Sequence, residues 1–83
     1  MDYYLFIARS ITQAQHMAHV LANCGIRAAV LRTPASLSER GCSHAVKIRA
    51  DKLSAARSCL DRAQLQPLHI YYQDANGYNE VSV

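Results

Sequence analysis

Two strand–helix–strand patterns follow one another in a chain of 83 residues, and that order leaves few ways to fold. Tyr3-Tyr4-Leu5-Phe6-Ile7-Ala8 is aromatic and β-branched and reads as strand 1. Ser10 or Thr12 can cap a helix running from about Thr12 to Cys24. Ala14, Met17, Ala18, Leu21 and Cys24 recur there at helical spacing, and Gly25 is placed to end it. Arg27 to Arg32 forms strand 2, stopped by Thr33-Pro34. After a polar connector, His44-Ala45-Val46-Lys47-Ile48 alternates as strand 3. A second helix starts near Asp51, with Leu53, Ala56, Leu60 and Ala63 as its buried stripe. Pro67 precedes strand 4, Leu68 to Gln73.

Right-handed crossovers turn this βαββαβ order into an α+β, ferredoxin-like fold. The expected architecture is a four-stranded antiparallel sheet, order 4-1-3-2, with both helices on one face. Residues 1–73 form a single domain, and 74–83 form a C-terminal tail or short hairpin arm opened by the turn signal Asp74-Ala75-Asn76-Gly77. Strand alternation directs Leu5, Ile7, Val46, Ile48, Leu68, Ile70 and Tyr72 towards the helices. The open face then carries Tyr4, Phe6, Lys47, Arg49, His69 and Tyr71. An exposed face bearing aromatics and cations is usually covered by something.

Size limits the function. A chain this short buries only roughly 60–65% of its unfolded surface, so a wide cleft with its own walls is not expected. The net charge of +3 mildly favours anionic partners. Asp2 stands where a basic leader residue belongs, and no stretch approaches the roughly 20 apolar residues that span a bilayer. Neither secretion nor a membrane is therefore expected. Three cysteines without a CxxC disfavour a disulfide scaffold and point to the cytoplasm.

Cys42 is the cysteine that no helix pattern claims. It ends the connector Thr33 to His44, flanked by Gly41 and Ser43, with Arg40 and His44 two residues away on either side. In an extended segment those three side chains point the same way. A cation beside a thiol favours the thiolate, which makes Cys42 a candidate reactive sulfur. The alternative is a small hydrophobe tucked under a loop. Cys24 and Cys59 lie on or beside apolar helix stripes and read as buried small residues.

Other chemistries find less support. His16 and His19 are one helical turn apart but lack further ligands in register, so no metal is expected. Gly25, Gly41 and Gly77 form no phosphate-binding loop, and the six acidic residues form no catalytic pair. An RNA-recognition domain shares the βαββαβ order and stacks bases on strands 1 and 3. Tyr4 and Phe6 would serve on strand 1, but Cys42, His44 and Ala45 occupy the positions of the strand 3 aromatics.

One resemblance is more specific. The helix ends at Asn23-Cys24-Gly25-Ile26; Leu31-Arg32-Thr33-Pro34 follows strand 2; then come Leu37-Ser38 and Cys42. Over about residues 3 to 72 this pattern resembles the small bacterial family of selenium/sulfur carrier proteins, DUF3343. Ala35 and Ser36 replace the family's usual charged residues, the gap from Ser38 to Cys42 is about one residue longer, and Ser43 replaces a glycine. The resemblance implies a non-enzymatic carrier without a cofactor. Cys42 would accept sulfur or selenium from a donor protein as a persulfide or selenopersulfide and pass it to an acceptor by thiol exchange. Arg40, His44, Thr33 and Ser38 would stabilise the anion. A second reading is a regulatory or protein-interaction module that forms a homodimer through the open sheet face. A third is RNA binding on that face.

Overall fold

The computed structural model describes residues 2–37 and 44–81. In chain order the elements are β1 (Tyr3–Ala8), α1 (Ile11–Asn23), β2 (Ala29–Arg32), β3 (His44–Arg49), a 3-10 turn (Ala50–Lys52), α2 (Leu53–Arg62), β4 (His69–Asp74) and β5 (Gly77–Val81). The sheet is antiparallel throughout, in the order β2-β3-β1-β4-β5. The four expected strands keep their expected order, but the sheet has five strands rather than four. The fifth comes from the tail. Asn76 N–H donates to Asp74 Oδ1 at 2.8 Å, and Gly77 takes φ +122°, which side-chain-bearing residues avoid. The chain thus reverses and pairs residues 77–81 with β4.

Local chemistry sets the helix ends. Ser10 Oγ accepts the Gln13 N–H at 3.1 Å, and Gln13 Oε1 accepts the Arg9 N–H at 2.7 Å. Ser10, not Thr12, is therefore the cap. Gly25 ends α1 at φ +79°. Ile26 N–H donates to the Leu21 carbonyl and Gly25 N–H to that of Ala22, a Schellman motif. α2 ends the same way without glycine. Gln64 holds φ +59°, Leu65 N–H reaches the Leu60 carbonyl, and Gln64 N–H that of Asp61.

The main core lies between the sheet and the helices. Phe6, Met17, Leu21, Val46, Ile48 and Ile70 are fully or almost fully buried there, with Ala56, Cys59 and Leu60 from α2. This corrects the facing of strand 1. Phe6 points to the helices, and Tyr4 packs against the same cluster. Leu5 and Ile7 turn to the other face, where they join Ala45 under Leu31, Leu37, Tyr71 and Tyr78. Residues 3–8 are apolar at nearly every position, so alternation cannot choose a face; what covers each face does. Two smaller corrections follow the same logic. Leu68 is 45% exposed instead of facing the helices. On α2, Ala63 caps an exposed end while Cys59 takes the inward place.

Candidate functional site

The connector between β2 and β3 leaves and re-enters the sheet at one place. Arg32 pairs with His44, so Thr33 and His44 stand on neighbouring strand ends. Thr33 is buried. Pro34 to Leu37 form a turn in which Leu37 N–H donates to the Pro34 carbonyl at 2.9 Å. The Leu37 side chain packs on the Leu5–Ile7–Ala45 cluster, so the connector starts across the face away from the helices.

His44 faces the other way. It lies opposite Ala8 of β1 and shares strand parity with Val46 and Ile48, which pack beneath the helices. Its Nδ1 is shut off from solvent and has no hydrogen-bond partner among the described residues. A buried ring nitrogen is normally satisfied, so this one marks a place where a partner belongs.

The N-terminus of α1 stands at the same end of the sheet, because Ser10 follows the last residue of β1 by two positions. Ser10 Oγ occupies the Gln13 amide, whereas the amides of Ile11 and Thr12 have no acceptor within the helix. The first turn carries no acidic side chain. The positive end of the helix dipole, roughly half a unit charge, is therefore not neutralised from its own first turn.

Of the residues expected to act on sulfur, Thr33 and His44 stand at the same end of the sheet, with His44 turned to the helix side. Cys42, Arg40 and Ser38 lie outside the described residues.

Of the expected open-face residues, Lys47, Arg49, His69 and Tyr71 share the side away from the helices, while Tyr4 and Phe6 do not. Lys47 Nζ sits 4.0 Å above the Tyr3 ring, and His69 Nδ1 meets Glu80 Oε2 at 2.7 Å. Tyr3, Arg27, Ala29, Lys47 and Arg49 line a shallow groove of about 360 Å³ at the far end of this face. Arg49 Nε is 3.8 Å from Asp51 Oδ1. Tyr3 and Glu80 escaped the sequence reading, Tyr3 because it takes the face expected for Tyr4.

A larger departure concerns the other cysteines. Cys24 and Cys59 form a disulfide that ties the C-terminal cap of α1 to the middle of α2. The expectation of two buried, unpaired thiols is thus corrected: Cys59 is 2% exposed, but Cys24 is exposed, and both are bonded. The one available sequence signal was Cys24 just before Gly25, which placed it at a helix end.

Among the described residues no helix is long and apolar enough to cross a membrane. The fold defines a small α+β domain whose β2–β3 connector leaves and rejoins the sheet at the end where α1 begins. The chain belongs to the family described as "Putative Se/S carrier protein-like", whose sequence profile matches residues 3–72. That match runs from β1 into β4 and stops before β5. Comparison with curated proteins and with solved structures finds no match.

Proposed function

We propose that this protein is a non-enzymatic carrier of sulfane sulfur or selenium, with Cys42 as the atom that bears the cargo. A donor persulfide, R–S–SH, is attacked at its outer sulfur by the Cys42 thiolate. The S–S bond of the donor persulfide breaks, and the donor leaves as the thiolate R–S⁻. Cys42 then holds a persulfide, which an acceptor thiolate attacks in the same way, restoring Cys42 as thiolate. Selenium follows the same path as a selenopersulfide. The donor and the acceptor are proteins of the bacterial cytoplasm.

The observation that carries this reading is the buried Nδ1 of His44, which has no hydrogen-bond partner among the described residues. Cys42 precedes His44 by two residues in sequence, a span of at most about 7 Å, and on that ground we assign the thiol to the strand end of His44. An imidazole there can take the thiol proton or pair with the persulfide anion. The unneutralised N-terminus of α1 adds positive potential. Arg40, Thr33 and Ser38 are the further residues we assign to stabilising the anion. Family membership supports the same chemistry.

Homodimerisation through the open sheet face draws less support. Its apolar part is covered by Leu37, Tyr71 and Tyr78 of the same chain, and the groove beyond it is cationic. Two copies would oppose like charges there, so the groove suits an acidic surface of a donor or acceptor. RNA stacking loses Tyr4 and Phe6, which lie on the helix side.

The test is mass spectrometry of protein purified without reductant, combined with alkylation by iodoacetamide across pH. Added sulfur or selenium is expected on Cys42, with alkylation of Cys42 half-maximal below the ordinary thiol value of roughly 8.5. H44A should move that midpoint upward. If Cys42 carries no added atom and titrates as an ordinary thiol, the carrier reading is wrong.

A further inference from the structure

The Cys24–Cys59 pair lies far from His44. α1 runs back along the sheet from Ser10 to Cys24, a length of about 20 Å, so the disulfide and His44 are near opposite ends of that helix. We propose that this pair is a second sulfur centre: a reversible thiol–disulfide exchange site that takes low-molecular-weight thiols, with Cys24 as the exchanging sulfur and Cys59 as the resolving one.

The two sulfurs are unequal in three respects. Cys24 caps α1 at an exposed corner, whereas Cys59 is only 2% exposed beneath the helices. An incoming thiolate must approach along the S–S axis, and access therefore selects Cys24. Arg62, three residues after Cys59 on the same face of α2, directs Nη2 towards Cys24 Sγ at 3.8 Å. A guanidinium there favours a Cys24 thiolate. The negative end of the α1 dipole acts against it, so Arg62 is the group that tips the balance. Finally, Cys59 Sγ lies 3.3 Å from the Val20 carbonyl oxygen. Once freed, its S–H can donate there and stays neutral beside Cys24.

Opening the bond thus leaves both sulfurs with partners. The helices keep the buried packing of Met17 and Leu21 with Ala56 and Leu60. In the reaction, a small thiolate attacks Cys24 Sγ and forms a mixed disulfide. The Cys24–Cys59 bond breaks with its electron pair on Cys59, which takes a proton from water. A second small thiolate attacks the small-molecule sulfur of the mixed disulfide and releases Cys24 as a thiolate. Two small thiols are oxidised to one disulfide, and the protein disulfide is reduced by two electrons. The reverse sequence reoxidises the pair.

The experiment uses the full chain carrying C42S, so that the carrier thiol contributes nothing and each reading can fail alone. Reduced protein is pulsed with iodoacetamide at neutral pH and mapped by mass spectrometry. Separately, oxidised protein is treated with glutathione and the mixed disulfide is trapped by acid. Alkylation of Cys24 should be at least about tenfold faster than that of Cys59, with glutathione found on Cys24. R62Q should slow Cys24 alkylation several-fold, and R62K should restore most of it. Circular dichroism should show the reduced chain still folded. Equal reactivity of the two cysteines, glutathione on Cys59, an R62Q rate equal to the parent's, or unfolding on reduction would each overturn the proposal.

Discussion

Reducing the Cys24–Cys59 bond is the perturbation whose energetic effect can be worked most directly from the structure. The bonded residues are 35 apart in sequence. Closing a loop of that length removes chain entropy from the unfolded state equivalent to about 3.8 kcal/mol at 25 °C. Some of this returns on reduction, because the freed Cys59 S–H gains the Val20 carbonyl, a contribution of about 1 kcal/mol. The expected loss is therefore about 3 kcal/mol. A domain of this length is stable by about 4–12 kcal/mol in total, so the reduced chain should remain folded at 25 °C with a much smaller margin. With an unfolding entropy of about 0.17 kcal/mol/K, Tm should fall by roughly 15–20 °C. The assay is guanidinium unfolding of C42S protein, with and without a phosphine reductant and with pairing checked by non-reducing peptide mapping. The slope m should rise on reduction, because an uncrosslinked unfolded chain exposes more surface. A loss below about 1 kcal/mol with unchanged m would refute the loop-entropy reasoning.

Three further predictions test other features. Gln64 holds a left-handed backbone conformation at the end of α2, so Q64G should raise stability by about 1 kcal/mol in the same titration, while Q64A should not. Phe6 is fully buried on the helix side, so F6A should cost about 3–5 kcal/mol; a cost under 1 kcal/mol would return Phe6 to the open face. Tyr72 donates its hydroxyl to Asp2 Oδ2, and that bond, with burial and the carboxylate charge, pushes its pKa up from 10.0 to about 12. The raised value favours the protonated phenol in the folded state. Its contribution to stability is complete below pH 10 and disappears as pH rises through about 12. Tyrosinate absorbance should show a late-titrating group near 12, brought back towards 10 by D2N.

Much of this protein was legible in its residues. The order of strands and helices, the Gly25 helix stop and the order of the first four strands follow from local spacing, capping chemistry and the handedness of crossovers. All of these act within a few residues or through chain connectivity. Cys42 was likewise singled out by its neighbours in sequence, within the residues 3–72 that the family profile matches. Tertiary structure decided what depends on which surfaces meet. Residues 3–8 are apolar on both faces, so only the covering of each face could place Phe6 under the helices and Leu5 under Tyr71. Gln64 carries no glycine signal; the close of α2 before β4 requires its conformation. β5 exists because β4 offers an edge to pair with. Cys24 and Cys59 meet because two helices cross at a particular angle and depth, a relation no local pattern encodes. His44 Nδ1 lost its access to water for the same reason: pairing of β3 with β1, distant in sequence, turns it to the helix side of the sheet.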